Sequence, residues 1–197
     1  TEIQILISEL LFDGVGSDKG KEFIELHNST STKTDLENWK LEYLVGESTS
    51  TNSIATVGTK AEDNSIIPSL GYFLIGLNSY DEDNYASTAA DIERSKSLPN
   101  VSSKITIQLL NASGTIVDST SYTSTSTEAG ESLVRVATST LFATSTNPNP
   151  QNTSSLPNPR ANPTTPTATS TYATSTQILT ISWTASTDAL ATSTGGT

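Results

Sequence analysis

The chain has 197 residues, 34% of them hydrophobic, with a formal net charge of −11 and a pI near 4.3. So acidic a chain disfavours nucleic acid, whose backbone demands a basic face, and anionic lipid surfaces. It has no apolar run of the ~18 residues that a membrane-spanning helix requires, so membrane insertion is not expected. Cysteine is absent, which excludes disulfides and thiolate metal sites, and methionine is absent even at position 1. Thr1 is therefore expected to be a processed end, left by removal of a secretory signal, and the protein to be extracellular or at a cell surface.

Ile3, Ile5 and Ile7 alternate with Gln4, Leu6 and Ser8, which predicts a first strand from about Glu2 to Phe12. A turn cluster, Asp13 to Gly20, leads into Glu22-Phe-Ile-Glu-Leu-His-Asn28. After a Ser/Thr loop, Trp39, Leu41 and Tyr43 share one face of a second run, with Lys40 and Glu42 on the other. Phe23, Leu26, Trp39 and Leu41 are the expected core, with Trp39 as its buried anchor. A polar stretch follows, with a short strand at Ile54 to Val57, then a Pro68 to Gly71 turn and a buried strand, Tyr72 to Leu77. Ala86 to Ser97 is the one stretch expected to form a helix. Ile105, Ile107 and Leu109 alternate, Asn111-Ala-Ser-Gly114 makes a hairpin turn, Thr115 to Tyr122 returns, and Glu131 to Val136 closes the series. Seven or eight strands with turn signals between them predict an all-β antiparallel sandwich.

Beyond Thr146 the composition changes. Six of the eight prolines fall between Pro148 and Pro166, the mark of an extended, semi-rigid segment. Ala-Thr-Ser-Thr recurs at 137, 143, 168, 173 and 191 with irregular spacing, a compositional bias rather than a solenoid repeat. Leu179, Ile181 and Trp183 then share one face of a last strand, Gln177 to Thr184. The expected organisation is a domain over 1–155, an extended linker over 156–176 and a strand segment over 177–197. One strand cannot bury its own apolar face, so it either docks on a neighbour's sheet or opens a second immunoglobulin-like domain.

The residues give catalysis little to work with. His27, the sole histidine, stands at a strand end, and the serines have no base partner in sequence. No nucleophile elbow, phosphate loop or His cluster is present. Asp81 and Asp83, with Asp91 beyond, are the calcium candidates because that ion takes several oxygens on a loop, but an acidic loop is more simply solvated. Asp13 and Asp18 form a second such pair. Glu25, inside an apolar strand, is read either as an exposed edge position or as a buried carboxylate held by Arg135 or a backbone amide. Asn28, Asn100, Asn111 and Asn152 each begin an Asn-x-Ser/Thr sequon.

Six segments in order resemble the lamin tail domain family, its bacterial secreted branch above all: Ile7-Ser-Glu-Leu10, Glu22-Phe-Ile-Glu-Leu26 with His27-Asn28, Asp35-Leu-Glu-Asn-Trp-Lys-Leu41, Pro68-Ser-Leu-Gly-Tyr-Phe-Leu-Ile75, Gly114-Thr-Ile-Val-Asp118 and Gly130-Glu-Ser-Leu-Val-Arg135. The resemblance runs over roughly residues 1 to 155, with His27 in place of the usual aromatic and Val134 where an acidic residue often sits. It implies an immunoglobulin-like sandwich and a non-catalytic module of cell-surface proteins or secreted hydrolases. The phrase Ile181-Ser-Trp-Thr-Ala-Ser-Thr-Asp188 is similar to the first strand of fibronectin-type or cadherin-like modules. The expected function is a structural module of a surface filament or layer. Its partners would be copies of itself or other β-sandwich proteins, joined through Leu179, Ile181 and Trp183. The other expectation is an accessory binding or spacer domain, for which Tyr80, Tyr85 and Tyr122 would form an exposed aromatic platform. No cofactor is expected beyond the calcium candidates.

Overall fold

The computed structural model describes residues 5–61, 63–136 and 139–155, and the backbone of 168–173 and 178–183. Twelve strands form the first unit: β1 (Ile5–Leu11), β2 (Phe23–Asn28), β3 (Thr34–Asp35), β4 (Lys40–Val45), β5 (Asn52–Thr56), β6 (Ile66–Ile67), β7 (Tyr72–Leu77), β8 (Ile92–Arg94), β9 (Ile105–Leu110), β10 (Ile116–Tyr122), β11 (Ser132–Arg135) and β12 (Phe142–Ser145). They build a six-stranded sheet, β12-β11-β1-β2-β7-β8, and a four-stranded sheet, β10-β9-β4-β5, with β3 and β6 paired apart from both. The result is the expected all-β, immunoglobulin-like sandwich. One pairing departs from the antiparallel rule: β8 runs parallel to β7, from Ile75↔Ile92 to Leu77↔Arg94.

The four-stranded sheet follows period two. Ile105, Ile107 and Leu109 of β9 point into the core while the residues between them are only partly covered, as a sheet with one wet face requires. The six-stranded sheet does not alternate, and all six residues of β7 are buried. Its inner face contributes Ile7, Leu10, Ile24, Leu26, Phe73 and Ile75 to the main core. Its outer face carries a second apolar cluster of Leu11, Phe23 and Leu74, covered by Tyr80, Tyr85 and Ala90. Phe23, read as part of one core with Leu26 and Leu41, thus belongs to a separate cluster on the opposite side of the sheet.

Trp39 is only partly buried, packed on the rim of the core. It lies just outside β4, after a turn in which Asn38 takes φ 63° and the Trp39 amide bonds to the Leu36 carbonyl. Leu36, with no exposed surface, fills the interior there. The reason is geometric: the turn rotates the indole to the edge and the leucine inward.

The helix expected over Ala86–Ser97 does not form. Asp81 caps a single 3₁₀ turn, Glu82–Tyr85, which stops where Ala86 and Ser87 take positive φ (51° and 60°). The segment has no apolar stripe at helical spacing to bury; Ile92 instead joins the edge of the six-stranded sheet beside Ile75.

A second unit comprises Asn158–Thr197. In it β13 (Ala168–Ala173) pairs antiparallel with β14 (Ile178–Trp183), from Ala168↔Trp183 to Ala173↔Ile178. Residues 168–173, read as linker, are therefore a strand, and the last strand is half of a hairpin; their Thr and Ser content suits a strand as readily as a spacer. Residues 2–4 of the first predicted strand, 156–167 of the linker, and 184–188 lie outside the described residues.

Candidate docking flank

At one side of the sandwich the end strands of the two sheets, β12 and β10, stand opposite each other. An inward-pointing carboxylate sets their relation. Asp118 follows an irregularity in the β9–β10 register, which carries it inward with Thr120 and Tyr122. Its carboxylate accepts a hydrogen bond from the Ile7 amide at 2.7 Å and pairs with the Arg135 guanidinium. Arg135 also donates from Nε to the Ile7 carbonyl and from Nη1 to the Ser139 carbonyl, both at 2.6 Å. The Phe142 ring lies 4.7 Å from the guanidinium carbon. The β1–β11 ladder covers only Glu9 and Leu10, so the Ile7 amide and carbonyl find their partners in these two side chains. A buried ion pair is tolerable only when its remaining donors and acceptors are satisfied, and here backbone groups satisfy them. The pair ties β10 to β1 and β11 and fixes the spacing of the flank.

Between the strands lies a cleft of about 480 Å³. Leu133, Leu141 and Phe142 form its apolar part; hydroxyls of Ser119, Thr120, Ser121, Ser126, Thr140 and Thr144 line the rest. Leu141 is 68% exposed. End-strand backbone, hydroxyls and a small apolar floor suit an extended peptide strand better than they suit a reacting small molecule.

The calcium candidates are not brought together. Asp81 is spent on the 3₁₀ cap, where its side chain accepts from the Asp83 amide at 3.2 Å, while Asp83 itself is exposed. Asp91 lies elsewhere, accepting from the amides of Leu74 (2.8 Å) and Thr153 (3.0 Å). Asp18 closes its own turn through the Gly14 amide at 2.8 Å. Among the described residues no group of three or more His, Asp or Glu side chains is placed to hold a metal ion. The calcium reading therefore does not stand on Asp81, Asp83 and Asp91.

Glu25 is 2% exposed, and its partner is a backbone amide, that of Gln151 at 2.7 Å, rather than Arg135. Burial, opposed by the Ser8 hydroxyl and aided by the charge of Glu9, pushes its carboxyl up to about 8. His27 packs at a tilt of 35° against Tyr72 with ring centroids 4.8 Å apart, and burial lowers its proton affinity. Tyr80, Tyr85 and Tyr122 make no exposed platform. Tyr80 and Tyr122 are buried, Tyr122 stacked on Phe12 at 4.0 Å, and Tyr85 packs edge-on to Phe23. Asn28 is fully buried, its amide donating to the carbonyls of Thr32 and Pro68, so its sequon is closed to glycans. The side chains of Leu179, Ile181 and Trp183 lie outside the described residues.

Sequence reading missed the Asp118–Arg135 tie. Its signal was present: Asp118 occupies the inward register of a strand whose neighbouring inward positions are Thr120 and Tyr122, and a buried acid requires a partner.

A family model described as Lamin Tail Domain matches residues 1–124. No curated protein matches the chain. The family match ends after β10, whereas β11, β12 and the exit segment that complete the sandwich follow it.

Proposed function

Because the chain belongs to the lamin tail domain family, we propose that it is a non-enzymatic structural module of an extracellular filament or surface layer. In this reading the C-terminal hairpin of one copy docks along the flank between β10 and β12 of the next. The observation that carries it is the pair of end strands with Leu141 and Phe142 exposed or half-exposed beside them. A flat end strand with apolar neighbours is a template for another chain unless something covers it. The β13–β14 hairpin supplies a matching element, since a lone two-stranded sheet is marginal in water and the sequence places Leu179, Ile181 and Trp183 at alternate positions of it. A head-to-tail contact of this kind does not close and so propagates.

The test compares the full chain with one ending at Pro157, by sedimentation and electron microscopy. The full chain should assemble in a concentration-dependent way and the shortened one should remain monomeric. Assemblies formed equally by the shortened chain would overturn the reading. A second reading rests on the pairing of 168–173 with 178–183. The hairpin would then open a further immunoglobulin-like unit, and the first domain would serve as a spacer or accessory module in a larger surface protein. A full chain that stays monomeric at every concentration favours that reading.

A further inference from the structure

The outer face of the six-stranded sheet carries carboxylates where a core face would carry leucines. Glu9 on β1 and Glu25 on β2 are register partners, and Leu74 of β7 is the next residue along the same line. The Leu74 amide donates to Asp91. The row Glu9, Glu25, Asp91 thus crosses three strands. Over it runs the exit segment 147–153: the amides of Asn149, Gln151 and Thr153 donate in turn to Glu9 (3.2 Å), Glu25 (2.7 Å) and Asp91 (3.0 Å).

The spacing has a simple origin. Two residues of extended chain advance about 6–7 Å, a little more than the ~4.8 Å between strands, so an oblique crossing brings every second amide to the next strand. Pro148 and Pro150 flank Asn149, at positions where the missing N–H is not needed on the sheet side. The Asn152 amide, between Gln151 and Thr153, turns to the Ser155 hydroxyl at 3.0 Å. What sequence composition presents as a proline-rich linker is a strap whose alternate amides, at 149, 151 and 153, meet the sheet.

We propose that residues 147–153 are a detachable latch, fastened over Glu9 and Glu25 while this pair shares at most one negative charge and released when both ionise. Release follows because two adjacent buried charges gain more from water than from the two strap amides that bond them. Asp91, which Thr153 meets through both its amide and its hydroxyl and Asn64 through its side chain, anchors the far end. The geometry at Glu25 fits the neutral acid. The Ser8 hydroxyl lies 2.5 Å from Glu25 Oε1 and 3.2 Å from the Glu25 carbonyl. One hydroxyl hydrogen serves two acceptors only by sharing; a protonated carboxyl donating to Ser8 frees that hydrogen for the carbonyl, while Oε2 accepts from Gln151.

The groups facing Glu25 reinforce this. From β1 comes Glu9, itself held by Ser132 at 2.6 Å and raised in proton affinity by burial. Along β2 on the same face stands His27, driven toward neutrality by burial. From the loop above come Tyr85, kept protonated by burial and by Glu9 and Glu22, and Asp91. Residues 147–155 contribute no charged side chain.

The test is hydrogen exchange on the full chain at about pH 6 and about pH 9, corrected for intrinsic base catalysis. The Asn149 and Gln151 amides should lose protection by about tenfold or more on going to the higher pH, while the β1–β2 ladder amides lose much less, since one pH unit across a coupled group is worth a factor of ten. In Glu25→Gln, which keeps the acceptor for Gln151 without the charge, the two amides should hold their protection. Equal loss at strap and ladder amides in the unmodified protein, or the same loss in Glu25→Gln, overturns the latch. Should Glu25→Gln not fold, the comparison within the unmodified protein decides alone.

Discussion

The two faces of the six-stranded sheet bury comparable positions by opposite means. Inside, Ile24, Leu26, Phe73 and Ile75 meet the four-stranded sheet through apolar contact alone. Outside, Phe23 and Leu74 keep a small apolar cluster at one end, and the rest of the surface is closed by carboxylates bonded to the amides of a crossing segment. The inner face, apart from the Asp118–Arg135 tie at its flank, is closed by apolar side chains and is intolerant of lost volume. The outer face tolerates a change of shape and is sensitive to charge. A sheet can therefore be buried on both sides without two hydrophobic cores, provided that a proline-spaced strap supplies the donors.

Phe73→Ala should separate the faces most strongly. It removes a fully buried ring from the inner face and should cost about 3–5 kcal/mol in chemical denaturation; a loss below ~1 kcal/mol would mean that the inner face is not the main source of stability. Arg135→Ala should follow closely, at about 3–5 kcal/mol, because it leaves the Asp118 charge buried without its partner. Replacing both, by Met at 135 and Leu at 118, should recover only part of that loss in the same melts, because the Ile7 amide and carbonyl lose their side-chain partners as well. Trp39→Ala should cost less, about 1–3 kcal/mol, since its ring sits on the rim.

The outer face is probed by pH. Glu25 holds its proton up to about 8 in the folded protein against an ordinary value of 4.5. Between those values the folded state binds more protons than the unfolded one, so stability is highest on the acid side and falls as pH rises toward 8. Denaturation midpoints measured across this window should decline, and Glu25→Gln should flatten the decline. The smallest effect belongs to Gln151→Pro, which deletes one strap donor and should cost about 1 kcal/mol. It should leave the Phe73→Ala loss unchanged when the two are combined, because the faces are independent.

The core was legible in sequence through two signals: Ile105, Ile107 and Leu109 of the four-stranded sheet alternate, and Tyr72 to Leu77 of the six-stranded sheet is a continuous apolar run. The outer face was not, for reasons specific to its residues. Glu25 interrupts an apolar strand and reads equally well as an exposed position or a held acid until its amide partner, 126 residues away, is known. Asp118 and Arg135 are 17 residues apart on strands of different sheets, a pairing that local pattern does not encode. Ala86–Ser97 reads as helix by composition, yet its few apolar residues serve a strand edge. Trp39 misled by its size: the turn at Asn38 decides where an indole points, and Leu36 took the interior place.

The way the chain leaves the first unit has a mechanical consequence. The exit segment crosses the strands instead of lying along one, so a pull from the C-terminal side loads its attachments one after another: Asp91 with Thr153, then Glu25 with Gln151, then Glu9 with Asn149. Attachments loaded in series yield one at a time at low force, each releasing a short length of slack. Under tension the domain would lengthen by those few residues before β12 began to part from β11, which makes the exit a built-in strain relief between the first unit and the chain that follows it.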